Sequence, residues 1–295
     1  MRISSLLGGA HPTVSFEFFP PKTDVGRQSL VNVAGRLAPL APDYVSVTYG
    51  AGGATRSLTL DTCLSMKGHI SADVMAHLTC VCHTEEEIAR VADELWDTGI
   101  ENIMALRGDR PRDRQDDNVF IDFQYGSDLI AFLKTRHDFC CGGGCYPEGH
   151  SETPDLEVGI DHLKKKIDAG CDFLVTQMFF DNEYFYRFRD KARKAGINVP
   201  VIPGIMPITG VAQLDKFENQ FKVMLPAQLH EMVGAGETSE GNIEEVGVAW
   251  AAKQCKELLD EGAPGIHFYT LNKSVATVKV CGAIGLVGTQ GHAVD

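Results

Sequence analysis

The sequence predicts a single (β/α)8 barrel over residues 1–295. Three observations carry that expectation. Eight short apolar, β-branched runs of strand length recur along the chain, helical stretches lie between them, and no shift in composition marks a linker. Four helix-to-strand junctions repeat one pattern: Asp97-Thr98-Gly99, Asp168-Ala169-Gly170, Lys194-Ala195-Gly196 and Asp260-Glu261-Gly262. In each, the glycine supplies a left-handed helix end and a strand follows within a few residues. The length of 295 residues suits one barrel, which typically takes about 250. An open doubly wound sheet is the rival, but it ordinarily brings a G-x-G-x-x-G turn, and Gly50-Ala51-Gly52-Gly53-Ala54 lacks that spacing.

The first strand is expected over residues 14–20. It places Val14, Phe16 and Phe18 on one face and Ser15, Glu17 and Phe19 on the other. Pro20 and Pro21 cannot continue a ladder, so Glu17 falls near the strand's C-terminal end. A carboxyl crowded by phenylalanines loses hydration, which raises its pKa and suits it to general-acid work. The plain alternative is a strand-end glutamate that faces water or accepts a backbone amide.

The second and third strands are expected over residues 44–50 and 74–80. The helix after the third opens at Thr84, with Glu87 completing a capping box. Ile88, Val91, Ala92, Leu95 and Trp96 follow the helical period, and Gly99 ends it. The fourth strand spans 102–109, and the charge-rich stretch 110–118 behind it reads as a mobile loop on the active face. Strands five to eight are expected over 141–148, 173–180, 199–207 and 265–272. The longest gap, between the seventh and eighth, predicts an extra helix.

Composition narrows the function. An apolar content of 44% with 23% charged residues describes a soluble globular chain with a sizeable core. The net charge of −13, with no basic cluster, argues against nucleic acid. The longest apolar stretches, such as 173–180, fall far short of the ~20 residues of a membrane-spanning helix. Residues 3–10 are too short and glycine-rich for a secretory segment. Nine cysteines, an odd number without a small disulfide scaffold, fit a reducing interior, and the cytoplasm is the expected location.

In a barrel, chemistry collects where strands finish. This chain places there Glu17, Thr48 and Tyr49, His77, Arg107-Gly108-Asp109, Tyr146 with Glu148 and His150, Gln177, and Tyr269 with Asn272 and Lys273. Each has a plainer reading alone. His77 could be a hydrogen-bonded core histidine, Arg107 and Asp109 could pair with each other, and Gln177 could satisfy backbone groups. Tyr146 and His150 could be loop packing, and Phe217 shares an apolar helix face with Leu214. Lys164, Lys165 and Lys166 form either a solvated helix face or a cationic patch for phosphate. Cys140, Cys141 and Cys145 lie near His137 and His150, and Cys80, Cys82 and His83 form a second group. Neither has C-x-x-C spacing, and alternate side chains of a strand diverge, so no metal site is expected.

Taken in order, these motifs resemble the methylenetetrahydrofolate reductases, in the short bacterial form. The matching runs are SFEFFPP from Ser15, VSVTYG from Val45, HLTC from His77, ALRGD from Ala105 and the pair Tyr146-Pro147. They continue with LKKKIDAG from Leu163, TQMFFD from Thr176, PGIMP from Pro203 and HFYTLN from His267. The resemblance implies a FAD-containing barrel that reduces 5,10-methylenetetrahydrofolate to 5-methyltetrahydrofolate with NAD(P)H in a ping-pong cycle. It implies Glu17 as general acid and Asp109 beside both flavin and pterin. Thr48, Tyr49, Ala51, His77, Arg107, Gly108, Gly126, Tyr146 and His150 match the FAD-contacting set, and Lys165 and Lys166 would face the diphosphate. Gln177, Gln213 and Phe217 would meet the folate or the nicotinamide, with Phe217 as a stacking face.

The chain departs from close bacterial relatives at three positions. Gly159 and His162 stand where an Asp and an Asn are frequent in the FAD-binding helix, and Lys273 replaces an Arg that addresses the folate tail. Nearby Asp155 and Asp161 could rebuild the FAD contact. The chain leaves no room for the C-terminal regulatory domain of eukaryotic relatives, so control by S-adenosylmethionine is not expected. A homo-oligomer is expected. Two alternatives stay open: the same core fed by a redox partner subunit, iron–sulfur or corrinoid-linked, or a flavin-free barrel lyase. A Schiff-base lyase needs a lysine inside the barrel, and Lys22 and Lys273 lie just outside the eight runs.

Overall fold

The computed structural model describes residues 1–50, 56–111, 114, 118–235 and 240–289. Nine strand segments form one parallel sheet: β1 (Thr13–Phe18), β2 (Tyr44–Val47), β3 (Asp73–Thr79), β4 (Asn102–Leu106), β5 (Cys140–Cys145), β6 (Phe173–Thr176), β7 (Val201–Ile202), β8 (Gly204–Ile205) and β9 (Gly265–Tyr269). Their order is β7-β6-β5-β4-β3-β2-β1-β9-β8. β7 and β8 are halves of the expected seventh strand, divided at Pro203; β7 pairs with β6 and β8 with β9. Pro203 has no N–H to give a ladder, yet its carbonyl accepts from His267 N at 3.0 Å. The ring closes through this broken strand, so the nine segments make a (β/α)8 barrel.

Helices α1 (Asp24–Leu37), α2 (Arg56–His69), α3 (Glu85–Asp97), α4 (Gly126–Arg136), α5 (Leu156–Asp168) and α6 (Asn182–Lys194) follow the first six strands. The gap after the seventh holds α7 (Ala212–Asp215), a π-helical turn (Lys216–Gln220), α8 (Ala227–Ala235) and α9 (Glu240–Asp260). The one extra helix expected there is thus two short ones with a π turn between. Helix α10 (Val275–Ile284) follows β9. No helix among the described residues is long and apolar enough to cross a membrane.

Alternation along the strands sorts side chains into two cores. Val14, Phe16 and Phe18 of β1, Val45 and Val47 of β2, and Ile266 and Phe268 of β9 pack outward against the helices. Tyr44, Met75, Met104, Cys140, Phe173, Val175 and Ile202 fill the inside, where Ile3 and Leu7 join them. Ile3 and Leu7 therefore plug the barrel, while residues 8–10 are exposed. Ile3 N donates to Asn102 Oδ1 at 2.9 Å, which pins the plug to the start of β4. On β5, a Cβ at Gly142 would stand 2.7 Å from Phe173 Cζ, so glycine there makes room for an inward phenylalanine.

Most observed strands stop two to four residues before the apolar runs do. Residues such as Tyr146, Gln177 and Asn272 have left the ladder and belong to the loops at the strands' C-terminal ends. Met178 and Phe180 instead pack with Met206, Ile208, Leu214, Phe217 and Val223 in a separate apolar cluster, which seats α7 and the π turn over β6.

Gly99, Gly170, Gly196 and Gly262 all have positive φ, as the repeated junction pattern requires. The capping box of α3 is complete: Glu87 N donates to Thr84 Oγ1 at 3.3 Å and Thr84 N to Glu87 Oε2 at 2.9 Å. Thr84→Ala removes one of these acceptors and is expected to cost about 1 kcal/mol. Urea unfolding would read this as a lower midpoint at unchanged slope, and an unmoved midpoint would refute it.

Candidate active site

The inward face of β1 turns polar as it rises, from Ser15 to Glu17, and β9 does the same with His267 and Tyr269. Register sets Ser15 opposite His267 and Glu17 opposite Tyr269. Glu17 is only 7% exposed. Its Oε2 lies 3.6 Å from His77 Nε2 and 3.7 Å from His267 Nε2, so a buried carboxyl stands between two buried imidazoles. His267 Nδ1 lies 2.8 Å from Ser15 Oγ, and that hydroxyl donates to the Ile266 carbonyl at 3.4 Å. Ser15 thus ties the His267 ring to the β9 backbone and fixes the side from which Nε2 faces Glu17. Burial pulls the His77 pKa down to about 4; the Glu17 carboxyl opposes the fall and His267 adds to it. His77 is therefore neutral at pH 7, and its buried Nε2 has no hydrogen-bond partner.

The surrounding backbone is tied to this centre. Thr270 Oγ1 donates to the Glu17 carbonyl at 2.6 Å. Asn272, in the left-handed region at φ 55°, pairs with both Phe19 N (2.8 Å) and Phe19 O (2.9 Å) through its side-chain amide. It thus extends the β1–β9 pairing after the ladder has ended. Tyr269 donates to the Thr176 carbonyl at 2.5 Å and meets the His267 ring edge-on at 5.3 Å.

A second group lies over β4 and β5. The Arg107 guanidinium stacks 4.3 Å from the Phe120 ring centroid and pairs with Glu152 at 2.5 Å. Its buried Nε has no partner. Gly108 has φ +80°, and a Cβ there would come within 2.7 Å of Val81 Cγ1, so Arg107 and Asp109 flank a turn that requires glycine. Asp109 is exposed. Tyr146 and His150 meet edge-on at 4.6 Å. Burial, then Asp109, pushes the Tyr146 hydroxyl up to about 12, and burial lowers the His150 pKa. Gly126 opens α4 with its Cα close to the β4 backbone; a Cβ there would lie 3.4 Å from the Ala105 carbonyl. Helix α4 thus directs its free amides to the barrel end beside Arg107.

The remaining candidates divide. Thr48 N holds the Phe18 carbonyl at 2.9 Å, and Tyr49 donates to His83 Nε2 at 3.1 Å, since His83 Nδ1 is engaged with the Val81 carbonyl at 2.8 Å. Ala51 lies outside the described residues. Lys165 and Lys166 do not share a direction, because neighbours on a helix diverge by about 100°. Lys166 reaches inward to the Gly144 carbonyl at 2.8 Å, and burial lowers its pKa, whereas Lys165 and His162 are exposed. His162 stands 6.4 Å from the Tyr125 ring, beside the start of α4. Gln177 Oε1 accepts from Met178 N at 3.0 Å, and Gln213 Oε1 from Thr209 N at 2.6 Å. Phe217 is 2% exposed and packs 5.1 Å from Phe180, so its ring belongs to the apolar cluster under the π turn. Lys273 is exposed beside Asn272.

Sequence alone gives Ser15 and His267 no part in supporting Glu17, and places Glu148 only among the polar residues at the strand ends. The signal for the first was period-2 polarity, a Ser two residues before Glu17 and a His two before Tyr269. Glu148 Oε2 accepts from Met224 N at 2.8 Å, while its buried Oε1 has no partner. Burial lifts this carboxyl to about 7; the Met224 amide opposes the rise and Asp181 reinforces it. The unfolded chain would release this proton near 4.5. Stability from protonated Glu148 is therefore complete below that value and is lost as pH climbs through 7. Melting midpoints of wild type and Glu148→Gln are expected to diverge in favour of the variant between about pH 5 and pH 8. A gap that stays constant with pH would contradict the assignment.

The cysteines diverge as a strand demands: Cys140 enters the inner core, and Cys141 and Cys145 the outer one. Among the described residues no group of three or more His, Cys, Asp or Glu side chains is arranged to hold a metal.

Comparison with known proteins gives a consistent result. The family model for methylenetetrahydrofolate reductase matches residues 2–285. The 5,10-methylenetetrahydrofolate reductase of Escherichia coli K12 is 38% identical over 273 residues, covering 92% of this chain and 90% of that one. Methylenetetrahydrofolate reductase (NADH) 1 of Arabidopsis thaliana is 33% identical over 299 residues, which cover 97% of this chain and 50% of the plant protein. Among solved structures, an uncharacterized protein from Clostridium thermocellum that binds two copies of 5-methyl-5,6,7,8-tetrahydrofolic acid superposes with a TM-score of 0.63. It covers 96% of this chain at 18% identity, a likeness of fold.

Proposed function

Because the chain belongs to the methylenetetrahydrofolate reductase family, we propose that it reduces 5,10-methylenetetrahydrofolate to 5-methyltetrahydrofolate with FAD as resident cofactor and NAD(P)H as electron donor, the two substrates alternating at one site. The observation that carries this reading is Glu17, a buried carboxyl between two imidazoles at the C-terminal end of the barrel. The residues present fit a flavin nucleotide. His77 Nε2 and Arg107 Nε are buried polar atoms without partners. Gly108 and Gly126 bring backbone close beside them, at a helix N-terminus suited to phosphate. A bound FAD would take a hydride from NAD(P)H and, once reduced, supply it to the folate carbon.

The chain's own groups do the rest. Thr48, Tyr49, His77, Arg107, Gly108, Tyr146 and His150 line the cofactor's place, with Gly126, His162 and Lys165 on the phosphate side and Lys166 held inward at the Gly144 carbonyl. Glu17 delivers a proton from its carboxyl to the folate nitrogen whose bond to the methylene carbon must open. Neutral His77 flanks that carboxyl on one side, and His267, held by Ser15, flanks it on the other. Asp109 sets the charge between cofactor and pterin, Gln177 and Gln213 orient the pterin or nicotinamide, the segment anchored by the buried Phe217 closes over it, and Lys273 meets the folate tail. We read residues 1–295 as one catalytic barrel, assembled as a homo-oligomer in the cytoplasm.

The test is an anaerobic visible spectrum of the purified protein, before and after NADH and then methylenetetrahydrofolate. Flavin bands that bleach with NADH and return with the folate are expected. Bands that ignore nicotinamide but respond to dithionite and then to the folate would move the electron donor to a partner protein. A protein that stays colourless with added FAD would overturn the proposal.

A further inference from the structure

We propose that Glu148 is the positioning residue that latches the segment carrying Gln213 and Phe217 over the site, and thereby sets folate affinity; this rests on the function proposed above.

The latch joins two parts of unequal rigidity. Its base is the turn after β5. Gly149, at φ +92°, has no space for a side chain, because a Cβ would stand 2.5 Å from the Pro154 carbonyl. His150 and Thr153 exchange both backbone hydrogen bonds, at 3.1 and 2.8 Å. Glu148 is thus presented from a closed, fixed turn. The other side is the chain leaving the π turn. Phe221 N returns to Lys216 O at 3.0 Å and Val223 N to Phe217 O at 2.9 Å, with Lys222 left-handed at φ 57° between them. Met224 comes next, 59% exposed in its side chain, and its amide donates to Glu148. A π turn has poorer hydrogen-bond geometry than an α-helix and frequently marks a functional position. The Met224 amide fastens the exit of this one to the turn after β5, beside the apolar packing of Phe217 and Val223.

The choice of residue is costly in isolation. A half-buried carboxyl with one oxygen buried and unmet is unfavourable, and Asp181 nearby makes it more so. A neutral acceptor would fasten the amide as well. What the side chain does supply is an acceptor oxygen 2.8 Å from the Met224 amide, at a defined distance from the turn that also holds Tyr146 and His150. The cofactor side and the covering segment are thereby kept in register across Glu148.

Three variants test the latch in the full-length protein: Glu148→Ala, Glu148→Gln and Met224→Pro, the last removing the donor instead of the acceptor. Hydrogen–deuterium exchange is expected to rise at least tenfold over residues 213–225 in Glu148→Ala and Met224→Pro. The KM for methylenetetrahydrofolate should rise five- to tenfold in both, with kcat within twofold. Glu148→Gln keeps an acceptor for the amide and should restore exchange and KM to within twofold of wild type. Wild-type exchange in Glu148→Ala, an unchanged folate KM despite faster exchange, or a Gln variant as impaired as the Ala variant would each overturn the proposal. Should Glu148→Ala fail to fold, Met224→Pro against Glu148→Gln makes the same comparison. A wild-type protein that leaves methylenetetrahydrofolate untouched, while exchange in the variants still rises, would refute the proposed function and leave the latch standing.

Discussion

Glu17→Gln is expected to lower the folate half-reaction about 10²- to 10⁴-fold, the usual contribution of a positioned general acid, while NADH bleaches the flavin at the wild-type rate. The substitution is nearly isosteric, so the neighbours Ser15, His77 and His267 keep their places and the barrel keeps its stability. A carboxamide has no proton to release at neutral pH, however, and the folate nitrogen leaves its methylene carbon only when protonated. Hydride delivery from NADH needs no such proton, so the loss falls on one half of the cycle. Anaerobic stopped-flow measurement of each half-reaction separates the two. Wild-type reoxidation by methylenetetrahydrofolate would assign the acid elsewhere, and equal loss in both halves would make Glu17 a binding residue for the cofactor.

The second large effect concerns the seam. Gly204→Ala places a methyl group 2.4 Å from the Thr176 carbonyl oxygen and 2.5 Å from Tyr269 Cε2. Gly204 N already donates to Thr176 Oγ1 at 2.9 Å, and Gly204 pairs with His267 across the seam. The clash therefore involves backbone on one side and an aromatic ring on the other, and neither can rotate out of the way. Overpacking of this kind costs about 3 kcal/mol, which corresponds to a fall in Tm of roughly 6 °C or more for a chain of this size. Displacing Tyr269 also breaks its bond to the Thr176 carbonyl and moves the ring that meets His267, so activity should drop further than stability alone explains. Calorimetry with parallel kcat measurement would show both. An alanine variant that melts within about 1 °C of wild type would mean that the seam opens easily.

Much of the barrel could be read from local pattern. The eight apolar runs, the α3 capping box at Thr84 and Glu87, and the four left-handed glycines depend on neighbours within a few residues, and all are found where the spacing places them. The ends of the strands were less legible. Runs such as 173–180 stay apolar after the ladder stops, because Met178 and Phe180 enter a second cluster instead of the sheet. The break at Pro203 was visible as a residue, yet its consequence, one strand paired with a different neighbour on each half, depends on how the ring closes.

The candidate site divides in the same way. Glu17 and its inward direction follow from period-2 alternation and the prolines that stop the strand. Its surroundings do not. Ser15 and His267 are 252 residues apart in sequence and meet only because β1 pairs with β9. Lys165 and Lys166 look alike in a charge run, but helical rotation sends one to solvent and the other to the Gly144 carbonyl. Ile3 and Leu7, near the start of the chain, prove to fill the barrel from within. Family and fold class were legible because they rest on ordered local motifs and on short-range periodicity, which any folded form of the chain must respect. Pairings such as that of Ser15 with His267 were settled by closure of the barrel, since packing brings together groups whose separation along the chain carries no trace of their contact.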